Sequence, residues 1–254
     1  MEFDRIYAEV DLGRIEENME AMKEHLRPGT KMYGVVKTDA YGHGAVPVAR
    51  TIDRFVCGYA VATVDEGLKL RRHGIEKEIL SLGPVSAGRY QECLENDISL
   101  PVFEYRRAKE LSDAAAAEGK TAKIHIAVDT GMSRIGLFPD EGSVETVKEI
   151  AELPALRIAG MFTHFARADE ADKTNAGEQY SRFHAFCDAV KAAGVDVPVC
   201  HCSNSAGIVE LPDFNMDAVR AGITIYGLYP SDEVKQDIIS LKPAMALKLS
   251  LIHI

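Results

Sequence analysis

Lys37 stands at the end of the short apolar run Tyr33-Gly34-Val35-Val36, where a glycine-containing turn begins. The run is partly β-branched and too short for a helix, which predicts a buried strand. An amine at such a strand end is partly withdrawn from water, which disfavours its ammonium form and leaves a basic, nucleophilic nitrogen. Such an amine can form a Schiff base with a carbonyl compound. A lone lysine at a strand end more commonly snorkels to solvent, so the chemistry depends on the residues around it.

Other polar groups recur at similar places. Arg134 follows the apolar run ending at Asp129, His164 closes the run from Leu156, and Asn204 and Ser205 follow Val199–Ser203. Arg220, Gly222 and Ile223 belong to a last run from Val219 to Gly227, and Leu82 ends the run from Ile79. A phosphate needs N–H donors and hydroxyls, which Ser205 at a helix start and the Gly222-Ile223 turn supply, with Tyr41 adding a phenol. A single Ser or Gly is more often a cap or turn, and a single apolar-flanked His more often a structural hydrogen-bonder than a base.

The elements that must position these groups alternate. Strand-like runs are predicted at 31–37, 58–63, 79–83, 99–103, 122–129, 156–164, 199–204 and 219–227. Amphipathic helical stretches fall at 14–26, 65–73, 105–118, 143–152 and 178–193, with Asp65 and Ser143 as N-caps and Gly74, Gly119 and Gly194 as stops. Eight strand-then-helix units predict an α/β fold of the (β/α)8 TIM-barrel type, in which polar groups at strand C-termini converge on one mouth. The competing doubly wound sheet calls for a glycine fingerprint opening an early helix, which Gly42-His43-Gly44 fits poorly. Met19, Met22, Phe183 and Phe186 read as ordinary core.

With 254 residues, 46% of them hydrophobic, the chain can bury a full-sized core. A net charge of −10 argues against nucleic-acid partners. No run reaches membrane-spanning length, and residues Met1–Arg5 show no signal-peptide pattern. The five cysteines are odd in number and fit no metal spacing, Cys200-His201-Cys202 included, which predicts reduced thiols in a cytoplasmic protein without a bound metal.

The segment Val36-Lys37-Thr38-Asp39-Ala40-Tyr41-Gly42-His43-Gly44 resembles the cofactor-attachment signature of the alanine racemases, and the resemblance continues from about residue 5 to about residue 248. It implies a pyridoxal-phosphate enzyme acting on alanine, with Lys37 holding the cofactor and serving as the base on the D side. It further implies cofactor contacts from Tyr41, Leu82, His164, Asn204, Ser205, Arg220, Gly222 and Ile223, and substrate binding by Arg134. A guanidinium only donates, so Arg220 facing the pyridine nitrogen would keep that atom unprotonated and favour racemisation over transamination.

Racemisation needs an acid/base on each face of the substrate. In this family the second is a tyrosine of a C-terminal β domain, contributed across a homodimer. The resemblance therefore divides the chain into an N-terminal strand (1–10), a cofactor-binding barrel (11–230) and a connection with the first strand of that further domain (231–254), so that the chain reads as truncated. An unpaired Leu-Ile strand at such an end is an aggregation hazard. Ala127 departs from the family, where many relatives carry a modified lysine that braces the arginine matching Arg134. The alternatives are a serine-preferring racemase and a non-catalytic barrel that binds pyridoxal phosphate for homeostasis.

Overall fold

The computed structural model describes residues 6–249, so the Met1–Arg5 segment and the end of the expected terminal strand, at 250–254, lie outside the described residues. In chain order the strands are β1 (Ile6–Val10), β2 (Lys31–Val35), β3 (Gly58–Val61), β4 (Glu78–Ser81), β5 (Ile98–Val102), β6 (Ala122–Ala127), β7 (Leu156–Phe162), β8 (Cys200–His201), β9 (Ala218–Ala221) and β10 (Met245–Leu249). Strands β2 to β9 are parallel and close on themselves, β9 pairing back onto β2 with Tyr33 opposite Arg220. The doubly wound alternative falls here, because a closed sheet has no edge.

Each barrel strand ends earlier than the apolar runs suggest. Lys37, Asp129, His164 and Asn204 have left the sheet, and the 219–227 run breaks after Ala221 into a 3-10 turn, Ile223–Tyr226. The runs stay apolar past the last ladder bond because their ends wall a cavity, and hydrophobicity alone does not separate a ladder from a wall.

Two helix starts also differ. Thr63, not Asp65, caps Val64–Arg72: its Oγ1 accepts the Glu66 N–H while Glu66 Oε2 accepts the Thr63 N–H. Asp65 sits in the first turn, where a negative charge suits the helix dipole. Asp140, not Ser143, caps Glu141–Ala151, its carboxylate accepting the Ser143 N–H at 2.8 Å. The helix expected from Glu178 begins at Thr174, and helices end before Gly74, Gly119 and Gly194, all at positive φ.

Met19, Met22, Phe183 and Phe186 are buried between helices and sheet. The five cysteines are free thiols, and Cys200 and His201 form the buried strand β8. Among the described residues no group of His, Cys, Asp or Glu side chains is placed to hold a metal ion, and no helix is long and apolar enough to cross a membrane.

Outside the barrel, β1 and β10 pair antiparallel, Ile6 opposite Leu249 and Val10 opposite Met245. Buried Asn18 ties this ribbon's approach to the barrel: its Nδ2 donates to Ile225 O and Lys242 O, and its Oδ1 accepts the Lys242 N–H at 2.7 Å. Gly227 permits that approach, since a Cβ there would lie 1.8 Å from Lys242 O.

Candidate active site

A cavity of about 590 Å³ opens at the C-terminal ends of the barrel strands. All ten residues singled out from the sequence line it: Lys37, Tyr41, Leu82, Arg134, His164, Asn204, Ser205, Arg220, Gly222 and Ile223. They come from six different strand ends, which only closure of the sheet brings together.

Lys37 lies two residues past β2, half-buried. Among the described residues its Nζ makes no hydrogen bond and sits 5.5 Å from the Tyr41 ring centroid. The turn that follows is left-handed. Thr38, Asp39, Ala40 and Tyr41 all have φ between 51° and 54°, a run of L-residues that costs about 1–2 kcal/mol each. Local bonds over-determine it: Gly42 N–H reaches Thr38 O, Asp39 Oδ1 accepts the Ala45 N–H at 2.9 Å and Lys69 Nζ at 2.7 Å, and Glu66 Oε1 accepts the Thr38 N–H at 2.6 Å. Such strain is held where surrounding structure insists on it. The turn packs the Tyr41 ring on Tyr226, whose hydroxyl donates to Val35 O at 2.9 Å.

Arg220, on β9 next to β2, also lines the cavity and is 3% exposed. It donates to Thr163 O (2.7 Å), Cys202 O (3.0 Å), His201 O (3.0 Å), His201 Nδ1 (2.7 Å) and His164 Nδ1 (3.3 Å). Burial brings its pKa down to about 10, so the guanidinium stays charged near neutral pH. Burial, then the charges of Arg220, Arg134 and Lys37, push His164 down to about 3. His164 is therefore neutral, and because Arg220 can only donate, its Nδ1 accepts and its proton sits on Nε2.

A third part of the lining is a cradle of small donors. Ser205 Oγ accepts the Gly222 N–H at 3.0 Å and the Thr224 hydroxyl at 3.0 Å, which leaves its own hydrogen free to donate elsewhere. A Cβ on Gly222 would sit 3.4 Å from Ser205 Oγ and 3.5 Å from Tyr41 Oη, so the missing side chain is what leaves the space open. Asn204 caps the helix Ser205–Glu210, its Oδ1 accepting the Gly207 N–H at 3.1 Å. Burial raises the Tyr41 phenol above its usual range and keeps it a donor.

Arg134 is carried on a loop whose start is tied by Asp129 Oδ1, which accepts the Gly131 and Ser133 N–H groups at 3.0 Å each. Gly136 closes the loop at φ 135°, where a Cβ would lie 2.3 Å from Asp129 N. Among the described residues the Arg134 guanidinium has no hydrogen-bond or ion-pair partner. Ala127 is buried in β6 opposite Phe162 and offers it none.

Sequence reasoning missed Gln179. It is fully buried on Thr174–Ala192; its Nε2 donates to Thr130 Oγ1 (3.2 Å) and His164 O (3.1 Å), and its Oε1 accepts the Ala166 N–H (2.8 Å). It thus joins the loop of Arg134 to that of His164. Its signal was a glutamine in register with the inward stripe Ala176, Phe183, Phe186 and Val190.

Residues 10–230 match the family described as alanine racemase, N-terminal domain. The chain belongs to this family. It is 45% identical over 250 residues to an alanine racemase of Clostridium novyi, covering 98% of this chain and 64% of that relative. The fold superimposes on an alanine racemase of Clostridium difficile 630 with a TM-score of 0.96 at 39% identity, over 98% of this chain and 65% of that one. A second structure of that protein, in complex with cycloserine, gives a TM-score of 0.95 at 39% identity, over 96% of this chain and 68% of that one. The chain therefore spans somewhat less than two thirds of the length of the curated alanine racemases first matched, at 64%.

Proposed function

We propose that this chain is the cofactor-binding barrel of a racemase that interconverts L-alanine and D-alanine with pyridoxal phosphate in the cytoplasm, the D-enantiomer serving peptidoglycan synthesis. The observation that carries this reading is the meeting of Lys37 and Arg220 in one cavity, an amine without a hydrogen-bond partner among the described residues and a buried, permanently donating guanidinium. The residues fit the group: an amine for its aldehyde, a donor for its ring nitrogen, and the space beside Gly222 between two hydroxyls for its phosphate. Bound there, pyridoxal phosphate supplies a ring that withdraws electrons from the substrate's α-carbon.

The protein's part is positioning and proton movement. Lys37 Nζ is the attachment amine and then the base that takes or returns the α-proton on the D side. Arg220 would donate to the ring nitrogen of a bound cofactor and, being able only to donate, would leave that atom unprotonated. Neutral His164 holds Arg220 Nη2 in place. Ser205, Tyr41 and the backbone at Gly222-Ile223 bind the phosphate, Asn204 holds the helix start that presents Ser205, and Leu82 walls the pocket. Arg134, without a partner among the described residues, binds the substrate carboxylate through charge-assisted hydrogen bonds. For the opposite face we place the second base, a tyrosine, in a β domain following residue 230 and reached across a homodimer.

Deuterium exchange at the α-carbon of D-alanine and L-alanine, measured separately with cofactor-loaded chain in D₂O, tests this. Exchange from D-alanine that disappears in Lys37→Ala is the expected result. Bound cofactor with no exchange from either enantiomer, even when the remaining domain is supplied, would favour a cofactor carrier.

A further inference from the structure

Arg220 reaches beyond the cavity into the barrel interior. His201 Nδ1 takes its Nη1 bond at 2.7 Å, His201 Nε2 lies 3.1 Å from His125 Nδ1, and His125 Nε2 lies 3.2 Å from Glu78 Oε1. The row crosses the barrel from β9 through β8 and β6 to β4, and both histidines are 0% exposed. At its far end the Glu78 carboxylate also accepts the Tyr33 hydroxyl at 2.7 Å and the Ser99 hydroxyl at 2.8 Å.

The two ends decide the direction of every bond between them. A guanidinium can only donate and an ionised carboxylate can only accept. Burial works against ionisation of Glu78, whereas the hydrogen bonds it accepts from His125, Tyr33 and Ser99 favour the carboxylate and hold its pKa below the usual range. With all three links made, each imidazole carries a single proton, on Nε2. A further proton on either ring would set two donors face to face. The row is no proton path, because its Arg220 end never accepts.

Its use is electrostatic. Among the described residues no carboxylate pairs directly with Arg220, although the guanidinium is buried. A carboxylate on one nitrogen of an imidazole raises the basicity of the other, and here that effect is passed through two rings to the atom that binds Arg220.

We infer that Glu78 is a positioning residue for Arg220: relayed by His125 and His201, its carboxylate strengthens His201 Nδ1 as an acceptor and so sets how the guanidinium is held and how much positive charge it presents to the cavity. This deepens the reading of the cavity given above but is measurable without any cofactor.

The test is ¹⁵N NMR of the chain labelled at histidine and arginine. Unsubstituted protein should show His125 and His201 as neutral rings protonated at Nε2 alone; an imidazolium or a proton on Nδ1 at either ring overturns the inference. Glu78→Gln removes the charge and keeps an acceptor oxygen, whereas Ser99→Ala removes a neighbouring bond and keeps the charge. The Arg220 guanidinium resonances should shift in Glu78→Gln and stay in place in Ser99→Ala. Unmoved Arg220 signals in a folded Glu78→Gln protein overturn it. Should that variant not fold, the ring protonation of the unsubstituted chain still decides. A chain that gives these spectra but does not load pyridoxal phosphate would sink the proposed function and leave this inference standing.

Discussion

The carboxylate of Glu66 accepts the backbone N–H of Thr38 at 2.6 Å, joining the cap of one helix to the left-handed turn beside Lys37. The same side chain takes the N–H groups of Ala62 and Thr63 through its other oxygen. One residue thus ends a strand, starts a helix and holds the neighbouring strand's strained exit. Glu66→Ala should therefore cost more than an ordinary cap, about 2–3 kcal/mol by urea unfolding, since a cap alone is worth about 1 kcal/mol. It should also slow the reaction of Lys37 with pyridoxal phosphate, read as visible absorbance. A loss of stability with an unchanged reaction rate would mean that the turn does not need Glu66.

Gly222 separates binding from folding. The nearest atoms to an added Cβ lie at 3.4 Å and 3.5 Å, ordinary contact distances, so Gly222→Ala should fold with its Tm nearly unchanged. The methyl group fills the space assigned to phosphate. Affinity for pyridoxal phosphate should fall at least about tenfold, the equivalent of 1.4 kcal/mol, while affinity for pyridoxal barely moves. Equal losses for both ligands would place the phosphate elsewhere.

Arg220→Lys keeps the charge and loses the fork. Three carbonyls and two imidazole nitrogens now accept from Arg220, and an ammonium has three donors on one atom. Buried acceptors left unpaired cost about 1–3 kcal/mol each, so the substitution should lower stability by about 2–4 kcal/mol. Calorimetry against the unsubstituted chain checks this. Arg220→Glu should be worse, because it sets a buried carboxylate against those same carbonyls; a stable Arg220→Glu protein would refute this account of the wall.

Acid should destabilise the fold in a window set by buried groups. His164 falls from the usual 6.5 to about 3 in the folded chain, and His201 also lies well below its usual value, both chiefly through burial. The unfolded chain therefore binds more protons below about pH 6.5, and stability must decline as pH falls from there towards 3. Glu78, held below its usual 4.5 by the hydrogen bonds it accepts, adds its own loss as the pH falls below that value. The urea midpoint should drop steadily from pH 7 to pH 4, and His164→Gln should flatten the part between pH 6.5 and pH 5. An unchanged slope in that variant would show that His164 is protonated in the fold.

The sequence by itself determined the alternation of strands and helices, the barrel, the family and the ten residues that line the cavity. The alternation, the barrel and the cavity residues were legible because local chemistry marks them, in apolar runs of strand length, glycine stops and groups placed at or just past each run, whereas the family rested on the resemblance of the segment 36–44. What tertiary structure decided was everything that depends on partners distant in the chain. Thr38–Tyr41 are non-glycine residues, and nothing in their types announces a left-handed turn; Glu66 and Lys69, about thirty residues on, make it tolerable. The predicted runs include His125 and stop one residue short of Glu78, and nothing in either residue's type gives it a role until closure of the barrel sets both in line with Arg220. Thr63 displaced Asp65 as a cap because the chain is extended at Thr63. Residue type specifies which groups can donate, accept or bear charge, but closure of the sheet chooses which of them meet.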